Sequence, residues 1–213
     1  MAEINNGASP KGRATRSRIF EVATKEISLK GYAGARIDVI AREAKINKQR
    51  IYAYFGDKEG LFVEVWKRTS ELIYEKTQEF LDLSEKDVPD LGHIILNGYM
   101  AFHERHPEFW RIFVMENLFG GKHGRPGRVP GGSPYTHLRE LYASGQNDGF
   151  YSKEVSFETF IFVITGISFF YTSNMNTMSD TLDTNLSDPL VKAKMMKEIC
   201  FMMFNKPECQ VDY

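Results

Sequence analysis

Residues 37–62, IDVIAREAKINKQRIYAYFGDKEGLF, constrain the fold of this chain more than any other segment. Apolar residues recur there at helical spacing in two short runs, and a turn at residues 45–47 separates the runs. The pattern predicts a short first helix and a second helix over residues 48–55. Two short helices joined by a tight turn form a helix-turn-helix, which can place its second helix in the major groove of DNA. The apolar residues of the two helices are Ile37, Ile40, Ala41, Ala44, Ile51 and Phe55.

The second helix offers a set of polar side chains to DNA. Asn47 suits the N-cap, because its side chain can accept hydrogen bonds from the first free backbone amides. Lys48 and Arg50 can donate to guanine O6 and N7, and Gln49 matches the donor and acceptor of adenine. Phosphate contacts, which fix register without reading sequence, suit Tyr52, Tyr54 and Lys58. The alternative is a helical hairpin whose charged residues are only solvated, and the combined pattern favours DNA binding over it.

A larger group of residues in and around the motif gives a more specific signal. They are Ile19, Phe20, Ala23, Gly31, Tyr32, Ile40, Ala41, Glu43, Ala44, Ile51, Tyr52, Ala53, Tyr54, Phe55, Lys58, Glu59, Gly60 and Leu61. Over about residues 13–65 this pattern resembles the DNA-binding domain of the tetracycline-repressor (TetR) family of transcriptional regulators. Beyond that segment the resemblance rests on length and helical character. It implies a three-helix head that contains the helix-turn-helix, and a larger helical domain for ligand binding and dimerisation.

Two positions depart from the family pattern. The turn usually holds Gly where this chain has Lys45, and a left-handed backbone there would cost Lys roughly 1 kcal/mol relative to Gly. The cap before the first motif helix is usually Thr, whereas Arg36 stands here. Arg36 has no oxygen acceptor with which to cap, but it can replace the lost phosphate contact with a longer, charged one. We therefore add Arg36 to the predicted DNA-binding residues.

Charge is distributed unevenly along the 213 residues, although the whole chain carries a formal charge of only −1. Residues 1–60 contain 12 Lys and Arg against 7 Asp and Glu, whereas residues 61–213 contain 15 against 21, so their net charges are +5 and −6. A basic front and an acidic rear fit a DNA-binding head on a body that avoids DNA. We expect a flexible tail at residues 1–14, the helix-turn-helix DNA-binding domain at 15–56 and the helical body at 57–213.

Helical spacing dominates the rest of the chain and no alternating strand pattern persists, so we predict an all-α fold of about nine helices. Gly31 should end the first helix, Asp57 should cap the fourth, and His106-Pro107 should separate two later helices. Gly and Pro residues predict a loop at residues 120–134. The predicted helices outside the motif cover residues 15–30, 58–83, 91–105, 108–118, 135–147, 156–178 and 188–204.

Cysteine content and apolar runs bear on the compartment of the protein. Cys200 and Cys209 are too few for a disulfide scaffold, and we interpret them as reduced thiols, with Cys200 on the apolar face of the last helix. The first 15 residues lack the apolar run of a secretion signal. Residues 159–179 carry no charge, but their dense apolar run is short, so a buried helix is favoured over a membrane span. We expect a cytoplasmic protein that has no membrane partner.

The last two predicted helices are apolar on more than one face, which indicates burial from two sides. The family resemblance implies that they pair with a second copy in a four-helix bundle, and burial within one monomer is the alternative. A homodimer would also bring two short recognition helices to one palindromic site. The expected interface residues are Phe160, Ile164, Ile167, Tyr171, Met195, Ile199 and Met202.

Aromatic residues in the middle helices predict a pocket for an unknown small-molecule effector of apolar or aromatic character. For each of these residues ordinary core packing is the alternative. A metal site at His103 and His106 is disfavoured, because the helix is interrupted there and a third clear ligand is lacking. We expect no metal and no cofactor. The predicted effector-binding residues are Tyr99, Phe102, His103, Phe109, Trp110 and Phe113.

The resulting hypothesis is a ligand-responsive transcriptional regulator that is not an enzyme and binds double-stranded operator DNA as a homodimer. A repressor is the favoured form, and a ligand-activated DNA binder is left open. By the resemblance, effector binding in the body would move the helix after Asp57 and change the spacing of the two heads. No Gly-rich phosphate loop or nucleophile motif supports an enzyme. The remaining alternative is a helical protein-interaction adaptor, or a ligand-binding protein that does not bind DNA.

Overall fold

The computed structural model describes residues 10–118, 120–122 and 134–204, and these residues form nine α-helices and no strand. The predicted all-α fold class is therefore confirmed. Two short 3-10 segments, Glu79–Asp82 and Glu85–Asp90, follow the fourth helix. The predicted loop falls largely on residues 123–133, which lie outside the described residues, as do residues 1–9 and Cys209. The α-helices are α1 (Pro10–Gly34), α2 (Ile37–Glu43), α3 (Lys48–Phe55), α4 (Lys58–Gln78), α5 (Leu91–Arg105), α6 (Pro107–Leu118), α7 (Pro134–Asn147), α8 (Phe157–Thr181) and α9 (Pro189–Phe204).

The helices pack into two compact units that do not follow chain order. Among the described residues, the first unit holds residues 10–72, 107–118 and 120–122, and the second holds residues 73–106 and 134–204. Helix α6 therefore packs in the same unit as the helix-turn-helix. The functional division at residue 57 stays a prediction.

One face of α1 and the helix-turn-helix build the core of the first unit. Ile19, Ala23 and Ile27 recur at every fourth position along α1 and are at most 1% exposed. This apolar stripe matters because short helices such as α2 and α3 are unstable by themselves and depend on tertiary packing. The other buried residues of this core are Ala35, Ile37, Ile40, Ala41, Ala44, Ile51, Leu61, Phe62, Val65, Trp66 and Ile112.

Helix α1 extends beyond the predicted 15–30 at both ends. It begins at Pro10, because Pro fits the first turn of a helix, and Thr15 Oγ1 donates to Lys11 O at 2.8 Å within this added turn. Gly31 was expected to end the helix. It has a φ of 72°, a left-handed conformation that Gly adopts at little cost, and helical geometry resumes after it.

The second unit has a separate core to which α5, α7, α8 and α9 contribute. Tyr151, in the connection between α7 and α8, is 4% exposed. Its hydroxyl donates to Val88 O at 3.0 Å and accepts from Gly92 N at 3.1 Å. Gly145 makes room for the ring, since a Cβ there would lie 2.5 Å from Tyr151 Cδ2. The buried phenol therefore connects α7 to the start of α5 with all its hydrogen bonds satisfied.

Helix α8 contains the uncharged segment. Ser156 is its N-cap and accepts from Thr159 N at 3.2 Å. Ser168, near the middle of the helix, is fully buried and donates to Thr165 O at 2.9 Å. Cys200 of α9 is likewise fully buried, as predicted. Among the described residues, no helix combines the length and the apolar character needed to cross a bilayer.

Candidate nucleic-acid interface

The turn between α2 and α3 is a tight helical hairpin. Ala44, just after α2, is fully buried. Lys45 N donates to Arg42 O and Ile46 N donates to Ala41 O, each at 3.0 Å. Lys45 has a φ of 52°, so the left-handed residue expected in the turn is confirmed. These bonds fix the direction in which α3 leaves α2.

Helix α3 presents its first turn to solvent. Asn47 Oδ1 accepts from Arg50 N at 2.9 Å, which confirms Asn47 as the N-cap. Lys48, Gln49 and Arg50 are exposed, whereas Ile51 is fully buried on the opposite side. The backbone amides at a helix start carry positive dipole character, and two full cations lie beside them here. Together they match the acceptor-rich edge of a duplex.

The two tyrosines predicted to contact phosphate have different surroundings. Tyr52 is 39% exposed. The ring of Tyr54 packs partly buried against the core of the first unit, and its hydroxyl donates to Gly12 O at 3.4 Å. Tyr54 therefore links α3 to the first turn of α1, and a phosphate would have to share or replace this bond. Tyr52 is the more accessible of the two.

Lys58 and Arg36, the other predicted phosphate contacts, lie at the starts of helices. Lys58 opens α4; its Nζ donates to Ala33 O at 3.2 Å and lies 5.0 Å from the centre of the Tyr32 ring. Arg36 precedes α2, is exposed and makes no capping hydrogen bond, as its lack of an acceptor predicts. Arg36 can reach toward solvent, whereas Lys58 is held against α1.

An ion pair that no sequence motif indicated lies at the start of α3. Lys48 Nζ is 3.0 Å from Asp38 Oδ1, and the two side chains are 46% and 62% exposed. The hydrogen bond that Lys48 donates to Asp38 raises the pKa of Lys48, so the ammonium stays charged. Asp38 is in the first turn of α2. Only the folding of the hairpin brings it to Lys48, which is why spacing along the sequence did not reveal the pair.

Glu64 of α4 braces the helices behind the exposed surface. Its Oε1 accepts from Arg16 at 3.1 Å and from Arg68 at 3.0 Å. The Arg16 guanidinium also lies 5.7 Å from the centre of the Phe55 ring, and that of Arg68 lies 4.6 Å from the Phe20 ring. These contacts join α1, α3 and α4. A recognition surface gains precision when it is held by such rigid elements.

Comparison with known families accounts for both parts of the chain. Residues 19–65, which contain the helix-turn-helix, match the model of bacterial regulatory proteins of the tetR family. Residues 94–203 match that of the tetracyclin repressor-like C-terminal domain. The chain belongs to the TetR family. It is therefore a helix-turn-helix transcriptional regulator, and the prediction made from the motif is confirmed.

Relatives of this TetR-family chain are named as repressors. HTH-type transcriptional repressor NicS from Pseudomonas putida is 34% identical over 185 residues, which cover 84% of this chain and 85% of NicS. HTH-type transcriptional repressor SCO4008 from Streptomyces coelicolor is 32% identical over 155 residues, or 73% and 77% of the two chains. The solved structure of SCO4942 from the same organism is 23% identical, covers 91% of this chain and 99% of that chain, and has a TM-score of 0.66. This structural likeness supports the fold.

Three of the six predicted effector residues are on α5 in the second unit. Tyr99, Phe102 and His103 are 2%, 3% and 5% exposed. The hydroxyl of Tyr99 lies 2.8 Å from that of Tyr135. Burial raises the pKa of Tyr99 and lowers the pKa of His103 to about 4, so both side chains are neutral near pH 7. Among the described residues, no three His, Cys, Asp or Glu side chains are grouped to hold a metal ion.

The other three predicted effector residues are on α6 in the first unit. Phe109 is 5% exposed and stacks on Phe113, with ring centres 5.7 Å apart. Phe113 is 40% exposed and lies 6.0 Å from Trp66 of α4. The guanidinium of Arg111 lies over the Trp110 ring at 5.1 Å. An effector site that combines these residues with those of α5 stays a prediction.

The predicted dimer residues divide into buried and accessible ones. Phe160, Ile164 and Tyr171 are 4%, 0% and 7% exposed in the core of the second unit, so their side chains serve the monomer and offer little surface to a partner. Met202 is 81% exposed. Ile167, Met195 and Ile199 are half-buried. Sequence patterning did not separate these groups, because both faces of α8 are apolar.

The accessible apolar surface of α8 and α9 contains residues that were not predicted. Phe162, Phe170 and Phe201 are 76%, 53% and 65% exposed. A groove of about 400 Å³ lies in this part of the second unit. Its lining includes Gly166, Ile167, Phe170, Met195, Ile199 and Met202.

Proposed function

We propose that the chain is a repressor that binds palindromic operator DNA as a homodimer and releases it when a small molecule binds its helical body. The observation that carries the proposal is the exposed first turn of α3. There a capped helix start, two cations and an amide side chain face solvent within the segment that matches the tetR-family model. The relatives named as repressors favour repression over activation.

The proposal divides the DNA contacts by their accessibility. Gln49 and Arg50 are assigned to base edges, because amide and guanidinium groups match adenine and guanine bidentately. Arg36 and Tyr52 are assigned to phosphates, since they are exposed beside the helix-turn-helix. Tyr54 and Lys58 would contact phosphate only by sharing their bonds to Gly12 and Ala33. Asn47 acts mainly by holding the start of α3.

Dimerisation is assigned to the exposed apolar surface of α8 and α9. Large apolar side chains that are more than half exposed, such as Phe162, Phe170 and Met202, indicate an interaction surface when they cluster. Regulators of this family act as dimers, and two copies of α3 would read two half-sites about one turn of DNA apart. A single eight-residue helix contacts too few base pairs to select one site in a genome.

Control by an effector is proposed as a shift between two conformations. Helix α4 contributes residues to both units, so a change in α4 would be felt at α3 and in the body. An effector must favour the non-binding form by roughly 3 to 5 kcal/mol to release DNA effectively. The aromatic residues of α5 and α6 favour an apolar or aromatic effector.

Binding to a fluorescent duplex from the region upstream of the gene tests the proposal. The wild-type protein should bind with nanomolar affinity, and log Kd should rise steeply with log salt because binding releases counterions. Replacing Gln49 and Arg50 by Ala should reduce the preference for this duplex over a scrambled one. Lys86→Ala removes an exposed cation from the second unit and serves as the control. Equal affinity of the wild type for both duplexes would favour the adaptor alternative.

A further inference from the structure

Asp38 holds the Lys48 side chain at the start of the recognition helix. The 3.0 Å distance between Lys48 Nζ and Asp38 Oδ1 joins the first residue of α3 to the first turn of α2. Arg36 and Tyr52 are close enough to influence the charge of Lys48. The Lys48–Asp38 pair thus lies among residues that we assign to DNA, and its net charge is zero.

The pair has different consequences for phosphate and for base contacts. Affinity for phosphate comes from a cation that displaces counterions, and a lysine already neutralised by a carboxylate contributes little of it. A base edge, by contrast, needs donors in the right place. An ammonium has three N–H donors, so Lys48 can keep one bond to Asp38 and still offer two to guanine O6 and N7.

We propose that Asp38 is a positioning residue for sequence discrimination, which directs Lys48 to a base edge and keeps it from binding phosphates indiscriminately. The inference rests on the proposed function, since it requires α3 to enter a major groove. It assigns to an acidic residue in a basic surface the role of weakening binding to wrong sequences more than binding to the right one. Asp38 does not itself contact the base.

Asp38→Asn tests the role by leaving Lys48 as an unpaired cation. Affinity for scrambled duplex should increase, and the slope of log affinity against log salt should steepen by about 0.9, the value for one more neutralised phosphate. The ratio of operator to scrambled affinity should fall by about tenfold, the size of one lost bidentate base contact. Asp38→Glu, which restores the carboxylate, should recover part of the ratio.

Two further variants separate this role from simple charge removal. Glu43→Gln removes one carboxylate from the same helix, where Glu43 pairs with Arg42 at 3.1 Å, and should leave the ratio unchanged. Lys48→Met should lower discrimination at one base pair of the half-site. In the Lys48→Met background, Asp38→Asn should have no further effect on discrimination at that base pair, because the two residues act through one contact.

The outcomes distinguish the inference from the proposed function. If the wild type prefers its operator but Asp38→Asn behaves like Glu43→Gln in ratio and salt slope, the positioning role is overturned and the DNA-binding function stands. The positioning role is also overturned if Asp38→Asn lowers discrimination equally with Met at position 48. If the wild type shows no operator preference, the proposed function itself fails. Thermal melting of each variant checks that the fold is intact.

Discussion

Lys45 keeps the hairpin of this TetR-family chain in a left-handed conformation that a non-glycine residue adopts at a cost. Its φ is 52°, and the residue is exposed, so no packing compensates the strain. The departure from the family pattern could be recognised from sequence because the turn position requires this conformation. The Asp38–Lys48 pair could not, since it depends on the angle between two helices.

Lys45→Gly should therefore raise the free energy of unfolding by about 1 kcal/mol, because Gly removes the steric conflict at positive φ. Urea denaturation measures the change. Lys45→Ala is the matched control: it removes the same side chain but keeps a Cβ, so it should bring no comparable gain. Equal stabilisation by both substitutions would point to the charge of Lys45 and not to its backbone.

His103 should make stability depend on pH. Burial lowers its pKa to about 4 from an ordinary value near 6.5, so protonation favours the unfolded chain. The stabilisation from neutral His103 is fully present above pH 6.5 and is lost as the pH falls from 6.5 toward 4. Replacing His103 by Phe should reduce the loss of unfolding free energy between pH 7 and pH 5, measured in urea. An unchanged pH dependence would contradict this account.

Among the helices, the boundaries that were predicted well have local causes. Helix α3 begins at an Asn cap, and α5 ends before a Pro, so both bounds agree with the sequence. The start of α1 and the end of α4 were missed. Gly12 argued for a tail, and packing extended α1; α4 gives way at Gln78 to a 3-10 segment that periodicity does not distinguish from a helix.

The connection between α7 and α8 depends on close packing at one glycine. Gly145→Ala should destabilise the protein by about 1 to 3 kcal/mol, because the new Cβ would lie 2.5 Å from Tyr151 Cδ2 and 2.9 Å from Val88 Cγ1. Gly34→Ala, where the nearest atom is Lys30 Cβ at 3.4 Å, should cost little. Thermal unfolding compares the two variants. Similar melting temperatures would show that the space around Tyr151 adjusts easily.

For the whole molecule, the sequence pattern assigned the dimer interface to two helices but could not distinguish their faces. The buried Phe160 and exposed Phe162 are both apolar, and only the packing of α8 against α5 distinguishes them. The relation between aromatic residues and an effector is limited in the same way. Tyr99 and Phe113 are both in aromatic segments, yet they belong to different units.

Phe170→Glu should convert the dimer to a monomer, because a charge would be buried in an apolar interface. Sedimentation velocity measures the change, and operator affinity should fall at least tenfold with it, since one head loses its partner. Leu29→Glu places the same charge on a 55% exposed residue of α1 and should leave the dimer intact. A dimer that survives Phe170→Glu would place the interface elsewhere.

A binding profile over all single base-pair changes in the operator tests most directly whether α3 reads the major groove. Gln49→Ala should abolish the preference at one base pair in each half-site, an effect of about 1 to 3 kcal/mol, and leave the other positions unchanged. Lys86→Ala should preserve the whole profile. A profile that Gln49→Ala lowers uniformly, or does not alter, would contradict base recognition by the first turn of α3.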